Sequence, residues 1–311
     1  MDANAAAPVQ VCSGPAGEAE LSRHYDEVLA ALPFAAEARI VETPAGAAHV
    51  LVAGPPGGRP VVLWHGKGFP GPHFLQLFAA MADAGYRLYA PDEPCDAGSR
   101  SAPIPVDPAN HGWGRWAAGV LDALGLPAPG GPPPVHVGMS FGGAVTLDLA
   151  AVSPAAIAAA ALVVPISLDP AYDTPKYGLW LVFRLVLPIL LHNILPCDTT
   201  RRWALAPIMT DPSDVPRQVL LVWKHLRYNQ APPPTFAAAP LPGFAAPTLA
   251  LLAADDVFGN SDVVGARLAE IAPGCDVRVL PMKHAPSRAL MDGCVADIME
   301  WLAAQGLGPQ L

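Results

Sequence analysis

Residues Gly138-Met139-Ser140-Phe141-Gly142-Gly143 set a serine between glycines two positions to either side, after a strand-like run (Pro134 to Met139) and before a helix-like one (Ala144 to Ala151). A strand turning that sharply into a helix pushes the serine hydroxyl out of the sheet, and the glycines leave room for the strained backbone. Ser140 is the candidate nucleophile. A serine hydroxyl is unreactive at its own pKa, so it needs a base to take its proton and a third group to orient that base. His284 follows a run ending Val279-Leu280, and Asp255-Asp256 follow the run Leu249 to Leu252. Asp169, beyond the run 158–164, is a more distant acid. These are carboxyl ends of strands, where open α/β sheets collect their reactive groups. Acyl transfer also requires donors aimed at the developing oxyanion. The Phe141 N–H, at a helix N-terminus, is one. The second comes from His65-Gly66-Lys67-Gly68, best from the Lys67 N–H. The Lys67 side chain either enters the mouth of the site or stays solvated at the surface, and His65 reads as a brace for its loop.

These residues need a sheet to hold them. Leu21 to Leu32 carries apolar residues at helical spacing, and Arg39 to Glu42 and His49 to Ala53 read as strands around a turn at Gly46. Val61-Val62-Leu63-Trp64 lacks polar alternation and suits a strand buried on both faces. Helix 73–84, strand 86–90, helix 110–124, strand 134–139, helix 141–152 and strand 158–164 then alternate, which implies a mostly parallel, doubly wound sheet. The alternation stops after Pro165 and resumes with strand 247–253, helix 261–272, strand 276–280 and helix 289–305. Residues 21–165 and 244–311 therefore form one core, 166–243 an inserted helical cap, and 1–20 a mobile N-terminal arm. Gly178 to Leu195 is apolar for about the length of a short membrane span. Arg184, Pro188 and His192 within it favour an apolar helical pair or lid bent at Pro188, with no stable membrane insertion. Trp180 and Phe183 in this lid are candidate substrate-binding residues.

Composition narrows the partners. A net charge of −9 over 311 residues, with no basic cluster longer than Arg201-Arg202, argues against nucleic acid. The five cysteines are odd in number and scattered, so neither a disulfide framework nor a zinc site is indicated. The histidines lack metal-ligand spacing, and the turn at Ser140 lacks the Lys-Ser/Thr ending of a phosphate loop. No metal and no cofactor are expected. The start Met1-Asp2, without a basic segment or apolar core, does not read as a secretory signal, and the cytoplasm is the default compartment. Oligomeric state is not legible.

The chain resembles serine hydrolases of the α/β-hydrolase superfamily, from about Tyr25 to Leu302, and within them bacterial-type esterases with a helical cap. The likeness rests on Val62-Leu63-Trp64-His65-Gly66, Tyr89-Ala90-Pro91-Asp92, Gly98-Ser99-Arg100-Ser101, the Ser140 motif, Asp256-Val257-Phe258 and His284-Ala285-Pro286. It implies the α/β-hydrolase fold, nucleophile Ser140, acid Asp256 in place of Asp255, base His284, and oxyanion donors Lys67 and Phe141. It further implies cleavage of a small to medium, apolar carboxylic ester. Ala253-Ala254 and Lys283 depart from the family pattern, and a lysine beside the base is expected to act on its pKa or to occupy the entrance. The alternative is a non-hydrolytic protein of this fold: a cofactor-free lyase or perhydrolase, or a ligand-binding protein.

Overall fold

The computed structural model describes residues 11–225, 232–237 and 239–309. Eight strands form one sheet in the order β1-β2-β4-β3-β5-β6-β7-β8. Strands β1 (Ala36–Thr43), β2 (Gly46–Ala53) and β4 (Arg87–Pro91) are joined by antiparallel pairings. Strands β3 (Pro60–Trp64), β5 (Val135–Met139), β6 (Ala159–Val163), β7 (Thr248–Asp255) and β8 (Asp276–Lys283) continue in parallel, beginning with the β4–β3 pair. The apolar runs behave as their lack of alternation demands. In β3, Val62 and Trp64 pack on one face with Trp113, Phe141 and Leu147, whereas Val61 and Leu63 pack on the other with Phe74, Phe78 and Ile298. The first face is covered by α4 (Gly112–Leu124), α5 (Phe141–Val152) and α10 (Ser261–Ile271). The second is covered by α1 (Pro15–Ala30), α2 (Gly71–Leu77), α3 (Ala79–Asp83) and α11 (Arg288–Ala304). With both faces of the sheet buried, loops at its carboxyl edge are the surface left for chemistry.

Between β6 and β7 lie α6 (Pro175–Leu181), α7 (Leu187–Ile194), α8 (Asp198–Leu205) and α9 (Arg217–His225). The helical pair expected around Pro188 is instead one helix from Pro175 to Ile194. A π-helical turn over Val182–Val186 precedes Pro188 and accommodates the missing N–H and the ring, so helical backbone runs on into α7. This helix is long and apolar enough to cross a membrane by length and composition, and its apolar window is only 6 % buried. Both ends are tied to the same body: the Tyr177 hydroxyl donates to Val257 O, and Asn193 Nδ2 donates to Trp223 O at 3.1 Å.

The arm expected over residues 1–20 needs correction where it is described. Pro15 begins α1, a position where proline's fixed φ suits a helix and its absent N–H costs nothing. Glu20 on α1 then meets Lys224 (2.8 Å) and His225 (2.7 Å) on α9. Residues 1–10, and 226–231 and 238 within the expected cap, lie outside the described residues.

Candidate active site

Ser140 follows β5 directly and stands at φ 53°, ψ −114°, a left-handed backbone state costly for any side chain bearing a Cβ. Its N–H donates to Val163 O on the neighbouring strand, and its carbonyl accepts from Gly143 N. Sequence makes this turn possible through two close approaches. A Cβ on Gly138 would lie 2.4 Å from Gly142 O, and one on Gly142 would lie 1.9 Å from Trp64 O. The tight pass of α5 against the end of β3 brings the 65–68 loop over the serine, where a Cβ on Gly66 would stand 3.4 Å from Ser140 Cβ.

His284 follows β8 and Asp256 follows β7. His284 Nε2 is 2.8 Å from Ser140 Oγ, and both Asp256 oxygens are 2.9 Å from His284 Nδ1. The carboxylate fixes the proton on Nδ1 and leaves the Nε2 lone pair facing the hydroxyl. Asp256 Oδ1 also accepts the Phe258 N–H at 2.8 Å, and the Phe258 ring packs edge-on against the imidazole at 4.5 Å between centroids. Asp169 is turned to other work: its carboxylate accepts the N–H groups of Ala171 and Asn260. Asp255 is exposed, with Lys283 Nζ 3.8 Å away. Of the three aspartates, Asp256 alone meets His284.

Lys283 does not occupy the entrance. Its ammonium donates to Ala206 O, and its backbone N–H donates to Thr210 Oγ1 at 3.0 Å. Ala285 N donates to Ile208 O and Thr210 N to Ala285 O, so the segment between β6 and β7 grips both sides of His284. Thr210 was not legible as a site residue, since a lone threonine among helical insertions carries no motif.

Lys67 follows neither of the two courses expected for it. Its ammonium turns inward to Glu93 Oε2 at 2.9 Å, while Gly66 just before it lies against Ser140. Among the described residues neither the Lys67 N–H nor the Phe141 N–H meets an acceptor. His65 is a brace, fully buried: its Nε2 accepts the Glu93 N–H at 2.8 Å, which leaves Nδ1–H to face Gly66 O. Burial raises the Glu93 carboxyl above its ordinary pKa, with the Lys67 ammonium as the largest influence opposing it. Glu93 is the partner that sequence reasoning missed; its one signal is an acidic residue at the carboxyl end of β4. His65, Glu93 and Asp96 are the one group of potential metal ligands that converges among the described residues. The Lys67 cation on Glu93 and the Gly68 N–H on Asp96 (2.7 Å) already occupy these carboxylates, so the group fits an ion-pair brace better than a metal site.

Trp180 borders an open cleft of about 330 Å³ together with Tyr177, Asp169 and Asp256. Phe183 is 61 % exposed and lines neither described cavity. The structure thus brings Trp180, but not Phe183, to the neighbourhood of the acid.

The sequence profile of the alpha/beta hydrolase family matches residues 61–292, which takes in Ser140, Asp256 and His284. The chain belongs to the alpha/beta hydrolase family. Among curated relatives it is 29 % identical over 160 residues to the uncharacterized carboxylesterase nap of Bacillus subtilis (strain 168), covering 50 % of this chain and 51 % of that one. It is 28 % identical over 159 residues to carboxylesterase YbfK of the same organism, covering 50 % of each. The matched sequence spans about half the length of these curated relatives. In three dimensions the likeness is longer. The naproxen esterase (carboxylesterase NP) of B. subtilis superposes with a TM-score of 0.67 at 20 % identity, over 92 % of this chain and 98 % of that one. Carboxylesterase CesB (YbfK) gives 0.70 at 19 % identity, over 93 % and 99 %. At those identities the superpositions establish the alpha/beta hydrolase fold, including the mostly parallel sheet expected from the βα alternation.

Proposed function

We propose that this alpha/beta hydrolase cleaves a carboxylic ester through an acyl-enzyme on Ser140. The observation carrying the reading is the unbroken chain of contacts from Ser140 Oγ through both nitrogens of His284 to the Asp256 carboxylate. Ser140 Oγ attacks the carbonyl carbon as its proton passes to His284 Nε2. The carbonyl oxygen, now an oxyanion, takes the N–H groups of Phe141 and Lys67. Collapse expels the alcohol, which leaves with the proton from Nε2. Water repeats the sequence, releasing the acid and restoring the serine. Asp256 keeps the imidazole oriented and stabilises the imidazolium. The relatives named as carboxylesterases support the substrate class. The segment between β6 and β7 acts as a cap, with Trp180 on the open cleft that Asp256 also borders.

A p-nitrophenyl ester series of increasing acyl length, run on the native chain and on Ser140→Ala, tests the reading. Turnover that falls by about 10³-fold or more in the variant supports it. A folded native chain inert on every ester contradicts it and favours the lyase, perhydrolase or ligand-binding alternatives.

A further inference from the structure

The Lys67 ammonium is nearly buried, its side chain 13 % exposed, and the Glu93 side chain it faces is fully buried. The ammonium lies 4.0 Å from the centre of the Phe141 ring and 4.7 Å from that of Trp113, and these two rings meet edge to face at 4.8 Å. Neither the ammonium nor the Glu93 oxygens have a further hydrogen bond among the described residues. The cation is therefore held by one carboxylate and two aromatic faces, in surroundings where water does little to screen it.

What this pocket connects is informative. Lys67 is assigned one oxyanion N–H, and the ring under its ammonium belongs to Phe141, which is assigned the other. Glu93 grips the intervening loop twice: its carboxylate holds Lys67, and its backbone N–H holds the ring of His65. Gly66, the residue between, passes directly over the serine. Gln218 Nε2 on α9 donates to Gly68 O and Gly68 N donates to Asp96, so the loop is also anchored just beyond Lys67.

We propose that Lys67 and Glu93 are positioning residues for acyl transfer: their buried ion pair clamps residues 65–67 and, through the Phe141 ring, fixes the two oxyanion donors relative to each other. This rests on the oxyanion roles given to Lys67 and Phe141 under Proposed function. It assigns the Lys67 side chain a task separate from its backbone, and it assigns Glu93 a task where none was expected.

Removing one partner leaves a buried charge unpaired, whereas replacing both by apolar residues of similar volume is often tolerated. The informative variant is therefore Lys67→Met/Glu93→Met. With its melting temperature near native, kcat on p-nitrophenyl butyrate is expected to fall about 10- to 100-fold, less than or equal to deletion of a donor, with KM within about twofold. The inhibition constant of a trifluoromethyl ketone, which forms a tetrahedral adduct with the serine, should rise by the same factor. A merely structural pair would not move that constant in step with kcat. Native kcat and native inhibitor affinity in the folded double variant overturn the proposal, as does a change confined to KM. Glu93→Gln, which keeps the size of the side chain, is measured in parallel and should lose both quantities together. Amide exchange of Gly68, whose N–H donates to the buried Asp96 carboxylate, adds a readout independent of turnover in the native chain: exchange as slow as that of β3 is expected, and fast local opening overturns the clamp. A protected loop in a chain without esterase activity would defeat the ester-hydrolysis reading and leave the clamp standing.

Discussion

Gly142→Ala tests the geometry of the serine turn more sharply than any catalytic deletion. A methyl on Gly142 would lie 1.9 Å from Trp64 O, 2.4 Å from Trp64 C and 2.9 Å from His65 O. All three are backbone atoms, so no side chain can swing aside. Ordinary contact begins at 3.4 Å, so α5 and the end of β3 must part by 3.4 − 1.9 = 1.5 Å along that line. The residues that part adjoin the two N–H groups assigned to the oxyanion: Gly142 directly follows Phe141, and Trp64 and His65 stand three and two positions before Lys67. Loss of a single such donor lowers kcat about 10²- to 10³-fold, and a misplacement of about 1 Å can alone cost about 10²-fold. The expectation is a kcat lowered about 10²-fold or more, with a stability loss of about 1–3 kcal/mol from overpacking. Steady-state kinetics on p-nitrophenyl butyrate, labelling by a fluorophosphonate and thermal unfolding would be followed together. Gly293→Ala is the control: this glycine lies within α11 with nothing inside 4 Å of an added Cβ, so it should leave kcat unchanged. It should also gain up to about 1 kcal/mol of stability. Gly142→Ala with kcat within about threefold of native would refute the reasoning.

Other outcomes follow from the same structure. Asp256→Asn should lower kcat about 10³- to 10⁴-fold by releasing the imidazole tautomer, whereas Asp169→Asn should leave it near native, because that carboxylate serves Ala171 and Asn260. Comparison of the two kcat values separates the candidate acids. Trp180→Ala should raise KM for long-chain esters more than for acetate, and Phe183→Ala should not; a chain-length profile unchanged by Trp180→Ala removes that residue from the substrate cleft. Burial pushes the His136 imidazole down to about 4 from 6.5, and its Nδ1 accepts the Trp64 Nε1–H at 2.9 Å while Nε2 faces Ala156 O. Between those two values the unfolded chain binds the proton and the native chain does not. Stability therefore falls as pH drops from about 6.5 to about 4, by up to roughly 3 kcal/mol from this group. Denaturant titrations across that range should show a shallower decline for His136→Gln, and parallel curves would contradict the assignment.

Much of this was legible because βα alternation is strongly patterned. Buried parallel strands such as Val61 to Trp64 carry no polar residue, and the glycines around Ser140 announce a turn that other residues cannot make. The acid was less legible, because Asp255 and Asp256 differ in sequence by one position and only the turn after β7 decides which one meets His284. The region between β6 and β7 misled for a physical reason: Pro188 suggested a helical pair, and a π-helical turn carries a single helix past it. Start signals can also mislead at the N-terminus, where an Ala/Gly-rich stretch concealed a helix beginning at Pro15 and fastened to α9 through Glu20. The inward course of Lys67 could not be inferred at all, because its partner lies 26 positions away in the loop after β4 and no motif links the two.

Mass spectrometry of the intact chain, acid-quenched within milliseconds of mixing with a p-nitrophenyl ester, addresses the central claim most directly. The account predicts a transient mass increase equal to one acyl group, mapped to Ser140 and absent in Ser140→Ala. Turnover of the ester with no adduct on Ser140, and with the rate preserved in Ser140→Ala, would contradict it.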